Sequence, residues 1–430
     1  MKIWLINIGE QIPSDPGSPR LLRTGILAQH LVDRGHEVTW WNATVNHQQK
    51  IQRADETTIE DTPEGYRLIL LHGRLYQRNV SLLRILSHIE NAKAFKKVAP
   101  TQSKPDVILC GYPMIELTEA AVRYAQDYHV PIALDIRDLW PDIFSDALPK
   151  QLKWTGSAIF SHWNRSLAYS VQNATAVVGV TEGFVDWALK KGGRVKGKLD
   201  RAFHLAINPQ KPGKEALKKA GEMWDEHGII ADDDRLIGCF AGVFSPRQDL
   251  PTIVKAFTLL PSEDKSRLKL VLCGRGDLDD ELRRLADNEP NILFAGWRTG
   301  AEIRTLLARS DFGIFPCFSS FDYILHYPNK VGEYLSGGLP VMTGLKGLTE
   351  KMLGDERLGF FYDEGKPESA KACLLGIIAQ KEALADKRGP ALKTYHQMFD
   401  GARIYPDFCD YIEELAKSEI GTTSEDANVH

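Results

Sequence analysis

The sequence predicts an α/β protein made of two doubly wound parallel sheets that face each other across a cleft. Two observations support this prediction. Short apolar runs alternate with helical patterns from one end of the chain to the other, which is typical of mostly parallel sheets covered by helices on both faces. With 430 residues, the chain is also too long for one ordinary hydrophobic core, so we expect two domains of roughly 200 residues each.

The predicted elements follow that alternation in order. In the first half, the strands are 2–8, 37–42, 67–71, 106–111, 131–136 and 175–181, with helices such as 19–34 and 114–127 between them. In the second half, the strands are 235–241, 268–273, 291–295, 312–316 and 339–343, with helices such as 251–260 and 279–287. Because ligands of such sheets bind beyond the carboxyl ends of the strands, the residues that follow each strand are the candidates for function.

The best linker is the segment 206–213, which contains two prolines and a glycine. We therefore predict an N-terminal, acceptor-binding domain over 1–206 and a C-terminal, nucleotide-binding domain over 207–402. An amphipathic helix over 403–417 follows, and we expect it to return to the N-terminal domain. The polar tail 418–430 is predicted to be disordered.

Charge, cysteines and apolar runs argue against several classes of protein. The net charge of −4 argues against a nucleic-acid partner. The six cysteines are widely scattered, with no C-x-x-C pair, which favours buried free thiols over disulfides or a zinc site. The first apolar run is too short for a signal peptide, and no run reaches the ~18 residues of a membrane span. We expect a cytoplasmic protein, docked at most on the inner face of the membrane.

The most specific run in the sequence is 328–341, which reads PNKVGEYLSGGLPV. A proline begins the predicted helix, glycines end it, and a buried strand follows. Lys330 and Glu333 lie one turn apart, with Lys330 nearer the helix N-terminus, where anions bind. A carboxylate one turn further in can accept hydrogen bonds from a ribose diol. The pattern favours a nucleotide site over an ordinary capped helix with a surface ion pair.

This run resembles the donor-binding helix of family-4 glycosyltransferases, which have the GT-B fold of two Rossmann-like domains. The flanking runs agree in order: FAG at 240–242, SPR at 245–247, LCGRG at 272–276 and FAGW at 294–297. The resemblance covers nearly the whole chain. It implies that Glu333 holds the ribose and Lys330 the diphosphate of a nucleotide-sugar donor. The other residues of the implied donor site are Gly242, Gln248, Trp297, Arg298 and Asn329.

Two departures from the family pattern place the chain in a sub-branch. The family usually has a glutamate where this sequence has Leu325, and an arginine and a lysine where it has Val243 and Gln248. The amino-sugar transferases of bacterial surface-polysaccharide pathways, which this chain resembles, lack the same residues. In that sub-branch the positive charge would come from Arg247, Lys330 and backbone N–H groups near Gly242.

Acidic residues in the second half do not predict a metal site. Asp322, near the missing glutamate, either takes over part of its role or only completes a turn. Residues 277–279 spell D-x-D, but they open a predicted helix over 277–285, where acidic residues cap the N-terminus and complement the dipole. The run 232–234 is predicted to be a solvated loop. We therefore expect no bound metal, and no cofactor, since a nucleotide-sugar would be a substrate.

Three residues of the first half match the family near its N-terminal loop. Gly17 lies in a loop after the first strand that resembles the family's glycine loop. Without a G-x-G-x-x-G pattern, nicotinamide binding is a weak alternative. Arg23 and His47 match an arginine and a histidine of the amino-sugar sub-branch, which implies acceptor contacts. An equally favoured alternative is that Arg23 and His47 are ordinary surface residues.

The run DIRDLWPD at 135–142 closes a buried strand and is too polar for pure packing. The sub-branch carries D-L-W-P here, so we predict that Arg137 and Asp138 line the site, with Asp138 contacting the acceptor hydroxyl. Tyr112, at the end of the preceding strand, is a weaker acceptor-binding candidate.

The segment 72–104 carries seven basic residues and one acidic residue, a net charge of +6. Leu82, Ile85, Leu86 and Ile89 share one face of its predicted helix. A basic amphipathic helix can lie on anionic lipid. The alternative is a helix that packs on the first sheet and leaves its basic face in water.

The resemblance implies transfer of a hexosyl or N-acetylhexosaminyl group from a UDP-linked donor to a hydroxyl of a growing bacterial glycan. It further implies retention at the anomeric carbon without a metal, with Asp138, Lys330 and Arg247 as the catalytic residues and a glycan or lipid-linked glycan as the acceptor. Other hypotheses stay open at this point. They are a nucleotide-sugar epimerase of the same fold, a non-catalytic subunit that binds nucleotide-sugar, and a lipid-surface scaffold.

Overall fold

The computed structural model describes residues 1–17, 21–79, 81–146, 159–208, 212–231 and 233–418. The chain divides into two compact units. The N-terminal domain comprises Met1–His204 together with the segment that begins at Ala402, and the C-terminal domain comprises Leu205–Gly401. Part of the predicted linker (209–211) and the predicted disordered tail beyond Ser418 lie outside the described residues.

The strands are β1 Lys2–Ile6, β2 Glu37–Ala43, β3 Val45–Asn46, β4 Ile51–Gln52, β5 Thr58–Asp61, β6 Arg67–Leu71, β7 Val107–Tyr112, β8 Ile132–Ile136, β9 Ala176–Gly179, β10 Arg201–Ala202, β11 Leu236–Ala241, β12 Leu268–Cys273, β13 Ile292–Gly296, β14 Phe312–Phe315, β15 Val341–Thr343 and β16 Gly359–Phe361. The α-helices are α1 Arg23–Asp33, α2 Leu82–Val98, α3 Ile115–Asp127, α4 Asp142–Asp146, α5 Ser161–Asn173, α6 Glu182–Gly192, α7 Lys214–Glu226, α8 Leu250–Thr258, α9 Ser262–Ser266, α10 Asp279–Ala286, α11 Gly300–Arg309, α12 Phe321–Ile324, α13 Asn329–Ser336, α14 Leu348–Asp355, α15 Pro367–Ala379, α16 Lys381–Leu384, α17 Arg388–Met398 and α18 Gly401–Ala416. Short 3₁₀ turns cover Ala99–Thr101 and Ala385–Lys387.

The N-terminal domain is built on a sheet of order β10-β9-β8-β7-β1-β2-β6-β5. Its strands are parallel except β5, which runs antiparallel to β6. The chain leaves β1 toward β2 on one side and later returns to β7 on the other, so the strand order switches between β1 and β7. Trp4 of β1 anchors the core below this sheet, with ring centroids 4.8 Å from Trp41 and 4.9 Å from Tyr124.

Helix α18 belongs to the N-terminal domain from Ala402 onward, which confirms the predicted return of the C-terminal helix. Phe408 of this helix stacks on Phe203 with ring centroids 4.2 Å apart. An ion pair of 2.5 Å between Arg34 and Asp410 ties the same helix to the residue that follows α1.

The C-terminal domain is built on a parallel sheet of order β13-β12-β11-β14-β15-β16. Its strand order switches between β11 and β14. Alternate residues of β11 enter two different cores. Ile237 and Cys239 pack with α13 on one face, whereas Leu236 and Phe240 pack with α8 on the other. This sheet, covered by helices on both faces, confirms the predicted doubly wound architecture.

Two predictions for acidic runs were wrong in detail. Helix α10 begins at Asp279, its N-cap position is Leu278, and no side chain caps it. Asp279 instead pairs with Arg283 at 2.6 Å. The predicted solvated run 232–234 includes Asp233, whose carboxylate pairs with Arg235 at 2.7 Å and is largely buried; Asp232 lies outside the described residues.

Candidate functional site

In the C-terminal domain, Lys330 reaches back from helix α13 to the end of β11. The helix follows Pro328, which occupies the N-cap position without a side-chain cap. The first-turn N–H groups therefore lack a capping side chain. The Lys330 ammonium donates a hydrogen bond to the Ala241 carbonyl and lies 5.6 Å from the centroid of the Phe240 ring. This point is the carboxyl end of β11, beside the switch in strand order where ligands of such sheets bind.

Gly242 makes room for that lysine. A Cβ at Gly242 would lie 2.5 Å from both Cε and Nζ of Lys330, so a side chain there would displace the ammonium group. A Cβ at Gly274 would lie 1.8 Å from the Gly242 carbonyl oxygen. The Gly242 N–H donates to the Cys273 carbonyl, and the Gly274 N–H donates to the Gly296 carbonyl, both at 2.8 Å. The loops after β11, β12 and β13 are therefore held backbone to backbone.

Some of the backbone N–H groups predicted to supply positive charge near Gly242 are engaged within the protein. The N–H groups of Gly242, Phe244 and Ser245 donate to carbonyl groups. Lys330 brings a positively charged side chain to the same edge of the sheet. Burial lowers the pKa of Lys330, and Glu333, one turn further along α13, raises it in part.

Arg247 is paired with Asp322. Their ion pair measures 2.8 Å, and the Arg247 guanidinium also lies 4.7 Å from the centroid of the Tyr323 ring. Burial acts to raise the pKa of Asp322, but hydrogen bonds from Ser320 and Arg247 lower it below its usual value. The negative charge of Asp322 thus compensates the positive charge of Arg247, so Arg247 contributes less positive charge than predicted.

The turn after β13 separates two predicted donor residues. The Trp297 side chain is 62% exposed. The Arg298 guanidinium instead packs within the domain, 5.4 Å from the centroid of the Trp224 ring and 3.8 Å from Glu302. Trp297 is therefore the side chain of this turn that presents an open aromatic face.

The other predicted donor residues differ in exposure. Asn329 is exposed in the first turn of α13. Gln248 is buried, pairs through its backbone with Cys317, and carries a side-chain oxygen without a hydrogen-bond partner. Leu325 lies directly after the short helix α12.

In the N-terminal domain, Arg23 and Arg137 belong to a buried cluster of four charges. Arg137 pairs with Glu10 and, at 2.7 Å, with Asp135, while Arg23 pairs with Asp135 at 3.2 Å. Burial acts to lower the pKa of Arg137, but Asp135 and Glu10 raise it above its usual value. Two positive and two negative charges balance one another, as buried charges require.

This cluster corrects one interpretation of Arg23. Arg23 is 5% exposed, and it donates to the Phe203 carbonyl at 2.8 Å, so it is not a surface residue. Each of the three nitrogen atoms of Arg137 donates a hydrogen bond, the third to Thr24 at 3.0 Å. Contact of either guanidinium with an acceptor stays a prediction.

Tyr112 supports the turn that carries Asp138. The tyrosine is 1% exposed, and its hydroxyl donates to the Trp140 carbonyl at 2.6 Å. The prediction that Tyr112 contacts an acceptor is therefore wrong. Asp138 is half-buried, and one of its oxygens accepts the Leu139 N–H at 2.8 Å. The turn thus holds Asp138 just beyond the carboxyl end of β8.

His47 lines a pocket of basic and aromatic side chains. Its Nδ1 lies 2.7 Å from the Tyr76 hydroxyl and 3.4 Å from the Lys50 ammonium. Burial lowers the pKa of His47 to about 4, helped by the charges of Arg84 and Lys50. Arg84 lies 4.8 Å from the centroid of the Trp140 ring. His47 is therefore neutral at pH 7, and the pocket carries the charges of Lys50 and Arg84.

Helix α2 does not bury the apolar face that packing on the first sheet was expected to bury. Its buried residues are Ser87, His88, Asn91, Ala92 and Phe95. Leu82, at 78%, and Leu83 and Leu86 are exposed near its N-terminus. Arg84 turns into the pocket just described, which removes it from the solvated basic face.

Comparisons with known proteins extend this picture. Residues 235–380 match the family model described as "Glycosyl transferases group 1". Sucrose-phosphate synthase from Thermosynechococcus elongatus is a similar solved structure, with 16% identity, a TM-score of 0.68, and 96% of this chain and 98% of that chain covered. Anabaena HepE in complex with UDP-glucose gives 14% identity and a TM-score of 0.63, covering 96% and 100%. WaaG, a glycosyltransferase involved in lipopolysaccharide biosynthesis, is 14% identical with a TM-score of 0.59, and 96% of this chain and 99% of that chain are covered. Among curated proteins, none matches the chain.

The chain has the GT-B fold. The fold class and the resemblance predicted from the sequence are thereby confirmed, and the matched segment 235–380 contains the run 328–341 with Lys330 and Glu333. The roles of individual residues toward a donor or acceptor stay predictions.

Within the described residues of this GT-B protein, no helix is long and apolar enough to cross a membrane. The same part of the chain holds no group of three or more His, Cys, Asp or Glu side chains that could bind a metal ion. The cysteines are free thiols, and five of the six are buried.

The GT-B fold brings together several residues that the sequence did not predict. Glu10 and Asp135 neutralise the buried arginines, and Lys50, Tyr76 and His88 surround His47 and Arg84. Glu10 follows the end of β1 by four residues, so the rule that residues after a strand are candidates could have indicated it. The pocket residues come from a hairpin, a loop and a helix, and no spacing in the sequence indicates that they meet. Gly17 is exposed at the edge of the described residues.

Proposed function

We propose that the protein is a glycosyltransferase that moves a hexosyl or N-acetylhexosaminyl group from a UDP-linked donor to a hydroxyl of a glycan. The observation that carries this proposal is the position of Lys330 against Gly242 at the switch in strand order, with Glu333 one turn further along the same helix. The donor class is supported by the matched family segment. The choice of UDP is supported by the similar fold of HepE in complex with UDP-glucose.

Lys330 is proposed to stabilise the leaving diphosphate. Its ammonium lies beside a helix N-terminus whose first turn has no capping side chain, and both features attract phosphate. The negative charge on the leaving group grows in the transition state, so fixed positive charge there lowers the barrier. Arg247 would add to this effect, but Asp322 compensates it. Lys330 is therefore proposed to carry the larger share.

Glu333 and Trp297 are proposed to hold the nucleoside. A carboxylate can accept both hydroxyls of a ribose, and such charge-assisted hydrogen bonds are stronger than neutral ones. The exposed indole of Trp297 offers a stacking face for the base. Gly242 and Asn329 complete the proposed donor site, with Gly242 providing the space that Lys330 needs.

On the acceptor side, Asp138 is proposed to contact the acceptor hydroxyl. The Tyr112–Trp140 hydrogen bond and the Leu139 N–H hold its turn in place. We further propose retention at the anomeric carbon, with a donor phosphate oxygen helping to deprotonate the acceptor, and no metal, because Lys330 supplies the positive charge.

Contact with an anionic membrane is proposed for the start of helix α2. Leu82, Leu83 and Leu86 are exposed there, and Lys93, Lys96 and Lys97 are exposed further along the helix. Apolar side chains beside lysines suit the boundary between acyl chains and anionic head groups.

The test of the donor site is calorimetry with uridine and UDP on two variants. Glu333→Ala is expected to weaken both ligands by roughly ten- to a hundredfold, because both contain the ribose and each lost charge-assisted bond is worth ~1.5–3 kcal/mol. Lys330→Ala is expected to weaken UDP strongly and uridine hardly at all, because uridine has no phosphate. Wild-type affinity for UDP in both variants would show that the donor site lies elsewhere. The matched control is Glu350→Ala. Glu350 lies on helix α14, away from α13, and its carboxylate pairs with Lys346.

A further inference from the structure

Lys50 and Arg84 place two positive charges in one pocket of the N-terminal domain. Among the described residues, no Asp or Glu oxygen lies within ion-pair distance of either side chain. Both cations contact the same asparagine instead. The Lys50 ammonium donates to Asn79 Oδ1 at 2.6 Å, and Arg84 Nη1 donates to the Asn79 carbonyl at 2.7 Å. They also flank one ring, at 5.1 and 6.0 Å from the centroid of Tyr76.

The hairpin between β3 and β4 fixes the position of Lys50. Lys50 has a φ of 57°, a left-handed conformation that costs free energy for a residue with a side chain. The Asn46 side chain accepts the N–H groups of Gln48 and Gln49 at 3.0 Å, and the Asn46 carbonyl accepts the Lys50 N–H at 2.9 Å. Strained residues held this firmly by their surroundings are concentrated at binding sites.

Helix α2 fixes the position of Arg84. Its guanidinium lies over the Trp140 ring, and its Nε is buried without a hydrogen-bond partner. Burial lowers the pKa of both Arg84 and Lys50, so holding each side chain in its charged form at this place costs free energy. The nearest acidic influence is Asp138, which raises the pKa of Arg84 from beyond ion-pair distance.

The imidazoles of the pocket add no charge to it. His47, whose Nδ1 lies 2.7 Å from the Tyr76 hydroxyl and 3.4 Å from the Lys50 ammonium, is neutral because burial lowers its pKa to about 4. His88, buried against Trp140, is neutral as well, because burial lowers its pKa to about 3. The charge of the pocket is therefore that of Lys50 and Arg84.

We propose that Lys50 and Arg84 bind a phosphate group of the acceptor substrate. This proposal rests on the proposed function, since it concerns the second substrate of the same reaction. A phosphate dianion matches two cations, and a guanidinium can bind two of its oxygens. Leu82 and Leu83 are exposed within two residues of Arg84, so one helical turn presents apolar side chains outward and the cation inward. That arrangement favours a phosphate carried on a lipid over a soluble phosphate ester.

The experiment measures binding to the full chain with UDP saturating the donor site. The probes are inorganic diphosphate and farnesyl diphosphate, the latter below its micelle concentration. The double variant Lys50→Gln, Arg84→Gln is expected to bind both probes at least tenfold more weakly than the unaltered protein. The matched control Arg165→Gln, Lys190→Gln removes one arginine and one lysine that are exposed in the same domain, and it should bind both probes normally.

Unchanged affinity for diphosphate in the double variant overturns the proposal. If that variant does not fold, Arg84→Lys decides instead. It keeps the charge but loses the planar fork, so it should bind diphosphate more weakly than the unaltered protein, and wild-type affinity overturns the proposal. Retained UDP binding by the double variant separates a failed acceptor site from a failed donor site. Tighter binding of farnesyl diphosphate, reduced by Leu82→Asn with Leu83→Asn, supports a lipid-borne phosphate. Equal affinity for the two probes supports a soluble one.

Discussion

At the residue scale, Lys330 and Gly242 form one unit. The lysine side chain lies where a Cβ of residue 242 would be, so the glycine and the position of the ammonium depend on each other. A small change at residue 242 therefore tests the proposed role of Lys330 without removing its charge.

Gly242→Ala is expected to weaken UDP binding by about tenfold or more. The added methyl group would lie 2.5 Å from Lys330 Cε and Nζ and must displace them. Titration calorimetry with UDP measures the effect. Gly376→Ala is the control, since nothing lies within 4 Å of its added Cβ and alanine is favoured in a helix by ~1 kcal/mol. Equal UDP affinities for the two variants would argue against a phosphate contact by Lys330.

The buried charge cluster leads to a second residue-scale prediction. Arg23→Ala leaves Asp135 with Arg137 as its remaining partner, and breaking a buried pair in this way typically costs ~3 kcal/mol. We therefore expect the free energy of unfolding in urea to fall by about that amount, while UDP affinity stays unchanged. Arg165→Ala, an exposed arginine, serves as the control. If Arg23→Ala instead has normal stability and loses only the binding of the acceptor, that result would support the acceptor-binding role predicted from the sequence.

At the scale of elements, the apolar runs predicted the long parallel strands because burial on both faces leaves a continuous signal. β1, β7, β11 and β12 all begin within one residue of their predicted starts. The short strands β3, β4, β5, β10 and β16 were missed. β5, with the sequence TIED, is polar and lies at the sheet edge, so its backbone pairing leaves no apolar pattern.

In helix α2, too, the apolar pattern did not predict which residues are buried. Its apolar residues predicted one buried face, but contacts with the rest of the domain bury Ser87, His88 and Asn91 instead. Asn91 donates to the Leu71 and His72 carbonyls, so a polar residue satisfies the end of β6. Helical periodicity carries no information about such partners. The position of Lys330 and Glu333 one turn apart on a single helix, by contrast, was predictable because the two residues are close in sequence.

The exposed start of α2 leads to a prediction about membranes. Replacing Lys93, Lys96 and Lys97 by Gln is expected to weaken binding to vesicles containing phosphatidylserine by roughly a hundredfold, since each lysine contributes ~1 kcal/mol near an anionic surface. Co-sedimentation at low salt measures this. The control replaces Lys214, Lys218 and Lys219, which are exposed on α7, by Gln. Equal co-sedimentation of both triple variants and the unaltered protein would mean that α2 only packs on the domain.

At the scale of the whole molecule, charge is distributed according to the proposed roles. The net charge of the chain is −4, yet Lys330 in one domain and Lys50 with Arg84 in the other remain without carboxylates at ion-pair distance among the described residues. Elsewhere, the buried arginines of the N-terminal domain are matched by Glu10 and Asp135. These three cations of an acidic protein therefore lie where the proposed substrates carry phosphate.

The last prediction follows from that distribution and concerns metal. A glycosyltransferase can stabilise the leaving diphosphate with a divalent ion or with cationic side chains and helix N–H groups. Because Lys330 occupies the carboxyl end of β11, next to the first turn of α13, we expect turnover with UDP-sugar and acceptor to be unchanged in excess EDTA. The assay measures UDP release with and without EDTA, then after adding Mg²⁺ or Mn²⁺. Lys330→Ala is expected to lower turnover in both conditions, since the charge is lost from the protein itself. Loss of activity in EDTA that either ion restores would mean that a metal, rather than Lys330, neutralises the leaving group.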